Sequence, residues 1–253
     1  MASEEASEEP SATAVAEAVA RASEAPVALL TGSNRGSGRA IAAALHDRGY
    51  RVRSLNRTTT GESWLGETRC DLADPDQLAE GVAQVLAETG RLDACVANAV
   101  DRVLDPIEKL SPEDWDRIVA VNLTSVFHLI KAVLPALRRS RGLFVTMGSN
   151  ASTHYFEGGA VYSATKAAVK ALMETLLLEE RGNGVRGCLV TPGAIANLEG
   201  DDAPYKISTE SVGRCVASII DAWPADLVVG EVELRPAALP RPPVTGIDRL
   251  LHV

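Results

Sequence analysis

Tyr162 and Lys166 stand four residues apart in Val161-Tyr162-Ser163-Ala164-Thr165-Lys166, and Ser149 lies thirteen residues before the tyrosine. On a helix, residues i and i+4 stack on one face, so the phenol and the ammonium would enter the same space. A fixed positive charge beside a phenol favours the phenolate and lowers a pKa that is about 10 when unperturbed. Such a tyrosine can donate and accept a proton near neutral pH. Many long helices carry Tyr-x-x-x-Lys as a solvated pair, so the weight of this one depends on what lies upstream.

Upstream, the short apolar run Val27-Ala28-Leu29-Leu30 leads into Thr31-Gly32-Ser33-Asn34-Arg35-Gly36-Ser37-Gly38 and then an alanine-rich helical pattern. That order predicts a strand, a tight turn and a helix start. Glycines permit positive φ and let the N–H groups of a helix N-terminus approach a pyrophosphate. At the end of the second apolar run, Asn56 and Arg57 stand where a carboxylate would bind an adenosine ribose. Arg35 approaches the same region. Two guanidinium groups without an anion suit a 2′-phosphate, which they can hold through charge-assisted hydrogen bonds.

Over about Val27 to Leu234 the chain resembles the short-chain dehydrogenase/reductase family. The family's Thr-Gly-x-x-x-Gly-x-Gly is Thr31 to Gly38, and its Asn-Asn-Ala-Gly is matched in part by Ala97-Asn98-Ala99-Val100. Its helix asparagine is Asn122, its serine is Ser149, and its Pro-Gly is Pro192-Gly193. Ala97 replaces the first asparagine of the family pattern, and Val100 replaces its glycine, which puts a bulkier side chain near the nicotinamide and substrate space.

The resemblance implies an α/β fold, a Rossmann-type doubly wound parallel sheet in a single domain, and an NADP(H)-dependent oxidoreductase acting on CH–OH or C=O groups. It implies that Tyr162 gives a proton to a carbonyl oxygen and that Lys166 lowers the tyrosine pKa and bonds the nicotinamide ribose. Ser149 would bond the substrate oxygen, and Asn122 would hold a water linking Lys166 to solvent. Cofactor contacts would come from Gly32, Asn34, Arg35, Gly36, Ser37 and Gly38, from Arg57, and from Asp71 and Leu72 at the adenine. Asn98, Ala99, Pro192 and Gly193 would complete the cleft, with Ile195 beside the nicotinamide and Asn197 in place of a threonine that bonds the carboxamide. Val100, Asn150, His154 and Tyr155 would line the substrate pocket. The implied activity is an NADPH-dependent carbonyl reductase. A non-catalytic NADP-binding regulatory protein, and an isomerase or dehydratase of the same family, stay open as alternatives.

The elements that must position these groups follow from periodicity. Strands are expected at 27–30, 51–55, 67–70, 92–97, 142–147, 185–190 and 227–234, and helices at 37–48, 75–88, 112–139, 161–180 and 209–222. Ser111-Pro112 is a helix start, with a capping hydroxyl and a proline at the first position. Alternating strands and helices imply right-handed crossovers and a parallel sheet, which binds ligands beyond the carboxyl ends of its strands. Gly32, Asp71, Asn98, Ser149 and Pro192 all fall at such ends. The segment Ala194 to Ser208 is short for the family's lid, which implies an open pocket for a bulky substrate, or a loop that closes on ligand.

A chain of 253 residues with 46% hydrophobic and 4% aromatic content suits one aliphatic core, expected over residues 27–253. The net charge of −9 argues against a nucleic-acid or anionic-membrane surface. Residues 1–26 hold six glutamates against Arg21 and are expected to be a solvated, partly flexible extension without a secretory signal. No apolar run is expected to span a membrane. Cys70, Cys95, Cys188 and Cys215 are scattered without metal-type spacing, and His46, His128 and His252 do not cluster with acidic or thiol ligands, so no metal is expected and a cytoplasmic enzyme is. The partners expected are a small carbonyl or alcohol substrate and further copies of the chain, as a tetramer or dimer paired through 112–139 and 161–180.

Overall fold

The computed structural model describes residues 25–238 apart from 199, 202, 223 and 225. The acidic segment, except its last two residues, and the C-terminal stretch with His252 lie outside the described residues. Seven parallel strands form one sheet in the order β3-β2-β1-β4-β5-β6-β7. They are β1 (Val27–Thr31), β2 (Arg51–Asn56), β3 (Gly66–Arg69), β4 (Ala94–Ala97), β5 (Leu143–Met147), β6 (Arg186–Pro192) and β7 (Glu231–Leu234). β1, β4 and β5 are buried along their whole length, which is why they read as continuous aliphatic runs rather than alternating ones.

The helices are α1 (Gly36–His46), α2 (Pro75–Thr89), α3 (Pro112–Val119), α4 (Ser125–Ser140), α5 (Ala160–Glu180) and α6 (Thr209–Asp221). Successive β1 side chains enter opposite cores. Val27 and Leu29 pack with the apolar faces of α2, α4 and α5, while Ala28 and Leu30 pack with α1 and α6. The helices thus cover both faces of the sheet, and the strand order reverses direction between β1 and β4, leaving a crevice at their carboxyl ends.

Three expectations need correction. The helix expected over 112–139 is broken by a π-helical turn, Ala120–Thr124, whose closing N–H, from Ser125, reaches the carbonyl of Ala120. The turn carries Asn122, whose buried side chain is engaged at the neighbouring Asp101 backbone, and a local widening of this kind suits a residue held by a partner outside the helix. The strand expected over 227–234 begins only at Glu231, because a turn in which Leu227 N–H donates to Pro224 C=O delays pairing with β6. Finally, Pro112–Ser140 is long and apolar enough to cross a membrane by length and composition. Here that composition serves the core, since Val126, Leu129, Ile130, Val133 and Leu137 are buried against the sheet side.

Candidate active site

The turn after β1 is shaped by what its glycines lack. Gly32 and Gly36 have φ of +67° and +55°, the left-handed region. A Cβ on Gly32 would lie 2.7 Å from Ala99 Cα, and one on Gly38 would overlap the Gly32 carbonyl oxygen and the Asn98 amide nitrogen. So α1 docks directly on the strand end, and its first N–H groups face the crevice. Asn98 holds the partner strand in place. Its Nδ2 donates to the carbonyls of Thr31 (3.3 Å) and Gly32 (2.9 Å), and the Thr31 hydroxyl accepts from the Asn98 and Ala99 N–H groups, both at 3.2 Å.

These elements enclose a cleft of about 530 Å³ that brings together Gly32, Asn34, Arg35, Gly36, Ser37, Arg57, Asp71, Leu72, Asn98, Ala99, Val100, Tyr162 and Asn197. A smaller cavity of about 150 Å³ opens beside it and holds Ser149, Tyr162, Lys166, Pro192, Gly193 and Ile195. Ser37, Asn98, Val100, Arg102, Tyr162, Asn197 and Leu198 line both, so the two spaces are continuous. Gly38 lies beneath the turn as its spacer. Asn150, His154 and Tyr155 line neither space. Tyr155 is 73% exposed, Asn150 is buried behind Ser149, and His154 Nδ1 bonds the Thr153 hydroxyl at 3.0 Å.

The adenosine end is built without a carboxylate at the end of β2. Asn56 is buried and spends its amide on the turn: Oδ1 accepts from Ser33 N–H at 2.9 Å, and Nδ2 donates to Ser54 Oγ at 2.5 Å. Glu67 lies 3.4 Å from the same Nδ2 and accepts from the N–H groups of Thr60 and Gly61. An aspartate at position 56 would face that carboxylate, so a neutral amide fits. Arg35 and Arg57 are exposed on the cleft wall, and among the described residues neither forms an ion pair. A cleft with helix N–H groups at its floor and two uncommitted guanidiniums at one end fits a dinucleotide carrying a third phosphate.

At the other end, Tyr162 and Lys166 share one face of α5 as expected, with the ammonium 5.9 Å from the ring centre. The expected electrostatics do not hold in full. Lys166 Nζ donates to the Met147 carbonyl at 2.7 Å, and the Tyr162 pKa is raised above its ordinary value, not lowered. Burial raises that pKa, opposed by a hydrogen bond with Ser149 and by the charge of Arg102. Burial also lowers Lys166, to about 8. At the phenol, desolvation therefore outweighs the Ser149 hydrogen bond and the Arg102 charge together. Ser149 Oγ accepts from Ala151 N–H at 3.2 Å, which fixes the hydroxyl at the end of β5.

Two further placements differ from the sequence reading. The Asn122 side chain is engaged at the Asp101 backbone, with Oδ1 accepting from N–H and Nδ2 donating to C=O, each at 2.8 Å. It positions a loop. Asn197 Oδ1 accepts from Ser37 N–H at 2.9 Å and crowds Gly36, so its amide oxygen sits on the N-terminus of α1, which has no other side-chain cap. The segment carrying it is tied to itself: Ala196 N–H donates to Ile207 C=O and Ile207 N–H to Ala194 C=O. Arg102, Asp201 and Lys206 also line the cavity. None belongs to a motif, so only the tertiary structure reveals them.

Comparison with known proteins agrees with this fold. The short chain dehydrogenase family profile matches residues 26–199. The chain is 37% identical over 167 residues to 2,3-dihydro-2,3-dihydroxybenzoate dehydrogenase of Escherichia coli (strain K12), covering 65% of this chain and 67% of that enzyme. It is 33% identical over 181 residues to 3-oxoacyl-(acyl-carrier-protein) reductase of the same organism, covering 68% and 74%. The structure of an alcohol dehydrogenase from the archaeon Thermococcus sibiricus, complexed with 5-hydroxy-NADP, superposes with a TM-score of 0.77 at 28% identity, covering 87% of this chain and 99% of that one.

The buried ammonium makes a stability prediction. A lysine pKa of about 8 in the fold, against 10.5 ordinarily, means the folded state holds this proton less tightly than the unfolded chain. The resulting penalty is fully present below pH 8 and fades as pH rises towards 10.5. Lys166→Met removes the charge but also a donor to Met147, so the cofactor-free variant is expected to be more stable at pH 7 by about 1–3 kcal/mol. Denaturant unfolding from pH 6.5 to 9.5 checks this. The gain must shrink towards the alkaline end, and a variant less stable than wild type at pH 7 contradicts it.

Proposed function

We propose that this chain, which belongs to the short-chain dehydrogenase/reductase family, is an NADPH-dependent carbonyl reductase with Tyr162 as its proton donor. One observation carries the reading: Tyr162, Ser149 and Lys166 converge in a small cavity continuous with the nucleotide cleft. A regulatory cofactor-binding protein would have no need of a buried phenol and ammonium beside that cleft.

NADPH, when bound, supplies a hydride to the substrate carbon. The floor for its pyrophosphate is the N-terminus of α1, where the Asn197 oxygen must give way to a phosphate oxygen at Ser37 N–H. Freed from that cap, the Asn197 amide can serve the carboxamide instead. Arg35 and Arg57, which line the cleft, would hold the 2′-phosphate, and Asp71 with Leu72 would flank the adenine. The relative complexed with an NADP derivative supports this choice.

The chain's own chemistry is proton transfer. Ser149, fixed by Ala151 N–H, donates to the substrate oxygen and holds it against Tyr162. Tyr162 passes its proton to that oxygen, and the phenolate left behind is stabilised by Lys166 in a site with little water. Lys166 reaches Tyr162 and the Met147 carbonyl from one position, and its proton is mobile near neutral pH because burial already weakens its hold. The exposed Phe127 on α4 and Leu178 on α5 support self-association through these helices, as a tetramer or dimer. The described cysteines are all unpaired, in keeping with a cytoplasmic enzyme.

Two outcomes check this reading. Tyr162→Phe should lower kcat by about 10²–10⁴-fold while NADPH affinity by fluorescence titration stays within about 3-fold. Near-wild-type reduction of a good substrate by the variant would remove Tyr162 from the mechanism. Arg57→Ala should weaken NADPH by about 10–100-fold, the value of a lost charge-assisted hydrogen bond, and leave NADH little changed. Equal affinity of the wild type for both cofactors would contradict the assignment.

A further inference from the structure

The loop that follows β4 is built with unusual care for a segment lacking regular structure. Asn122, 2% exposed, grips Asp101 by both its N–H and its C=O. The Asp101 carboxylate is then consumed on both oxygens. One accepts from Arg102 N–H at 2.8 Å and the other from Arg117 Nε at 2.9 Å, while Arg117 also pairs with Asp114. Arg117 thus neutralises the one acidic side chain adjacent to Arg102 in sequence, and Asn122 holds the backbone that carries it.

What this loop presents is the Arg102 side chain, which lines both the nucleotide cleft and the Tyr162 cavity. The other charges around that cavity are engaged. Lys166 donates to Met147 C=O, and Lys206 pairs with Asp201 at 2.8 Å. Among the described residues Arg102 forms no ion pair, and this exposed side chain borders the space where a substrate would stand. A guanidinium presents a rigid fork of donors matched to a carboxylate.

We propose that Arg102 binds a carboxylate on the substrate, so that the class of compound reduced is an oxo acid, and the product a hydroxy acid, rather than a neutral ketone. The proposal rests on the carbonyl-reductase reading above and adds its specificity. Two electrons and a proton arrive as hydride from NADPH, a second proton comes from Tyr162, and the carboxylate is unchanged throughout. Arg102 here is a binding residue that touches the substrate away from the reacting carbon. It also favours the Tyr162 phenolate, an effect common to all substrates.

A matched comparison separates these effects. Wild type, Arg102→Gln and Arg102→Lys are assayed with NADPH on a series of oxo acids, from pyruvate to levulinate, and on their methyl esters. Any change in Tyr162 acts on acid and ester alike and cancels in the acid-to-ester ratio of kcat/KM. For the best acid, that ratio should fall about 10–100-fold in Arg102→Gln and be largely kept in Arg102→Lys. Raised salt should lower the wild-type ratio by screening the pair. Binding gives a readout independent of turnover: calorimetry should show the corresponding hydroxy acid binding the wild type in the presence of NADP and losing affinity in Arg102→Gln. A ratio that stays within about 3-fold, or a wild type that prefers every ester, overturns the proposal while leaving the reductase reading standing, because the esters are reduced. If wild type reduces neither acids nor esters yet binds NADPH, the reductase reading fails and takes the proposal with it.

Discussion

The site exists because α1 touches the end of β1 with no side chain between them. A Cβ at Gly38 would overlap the Gly32 carbonyl and the Asn98 amide, and one at Gly32 would meet Ala99. This contact fixes where the helix begins, and hence where its unpaired N–H groups point. It also draws β4 close enough for Asn98 to bridge the two strand ends. Cleft, phosphate floor and the start of the Arg102 loop all inherit their positions from that one close approach.

A second constraint is desolvation. Tyr162 and Lys166 are buried, and burial pushes both pKa values in the direction that disfavours charge: the phenol up, the ammonium down to about 8. The two groups ordinarily titrate close together, and burial moves them apart, so that the Lys166 ammonium becomes the stronger acid and returning a proton to a Tyr162 phenolate runs downhill. The same burial makes the site costly to fold. Under the mechanism proposed above, that dryness is the condition for proton transfer.

Much of this was legible in the chain. Glycines, apolar runs and the Tyr-Lys spacing encode local geometry, so the strand ends, α1 and the face of α5 follow from period and steric demand. Asn98, Ser149 and Pro192 lie at strand ends because a parallel sheet leaves its ligand crevice there. What stayed hidden depends on contacts between distant segments. Asn122 meets Asp101 across 21 residues and Asn197 meets Ser37 across 160, and neither pairing has a sequence signature. The π turn carries the first of these, and periodicity alone gives an unbroken helix there. The direction of the Tyr162 shift also escaped, because sequence shows which charge is near but not how much water is excluded. Asn150, His154 and Tyr155 were placed at the pocket by their position after Ser149, yet the short 3-10 turn Asn150–Ser152 carries them away from it.

If this cleft brings a reduced nicotinamide and a carbonyl together beside Tyr162, hydride must pass directly from one to the other. The most direct test uses NADPH deuterated on the transferring face of the nicotinamide, incubated with the enzyme and an accepted carbonyl compound, with the product analysed by mass spectrometry and NMR. One deuterium is expected on the new carbinol carbon and none at oxygen after exchange with water, in step with NADPH consumption. Product formed without deuterium at that carbon, or no reduction of any carbonyl by an enzyme saturated with NADPH, would contradict it.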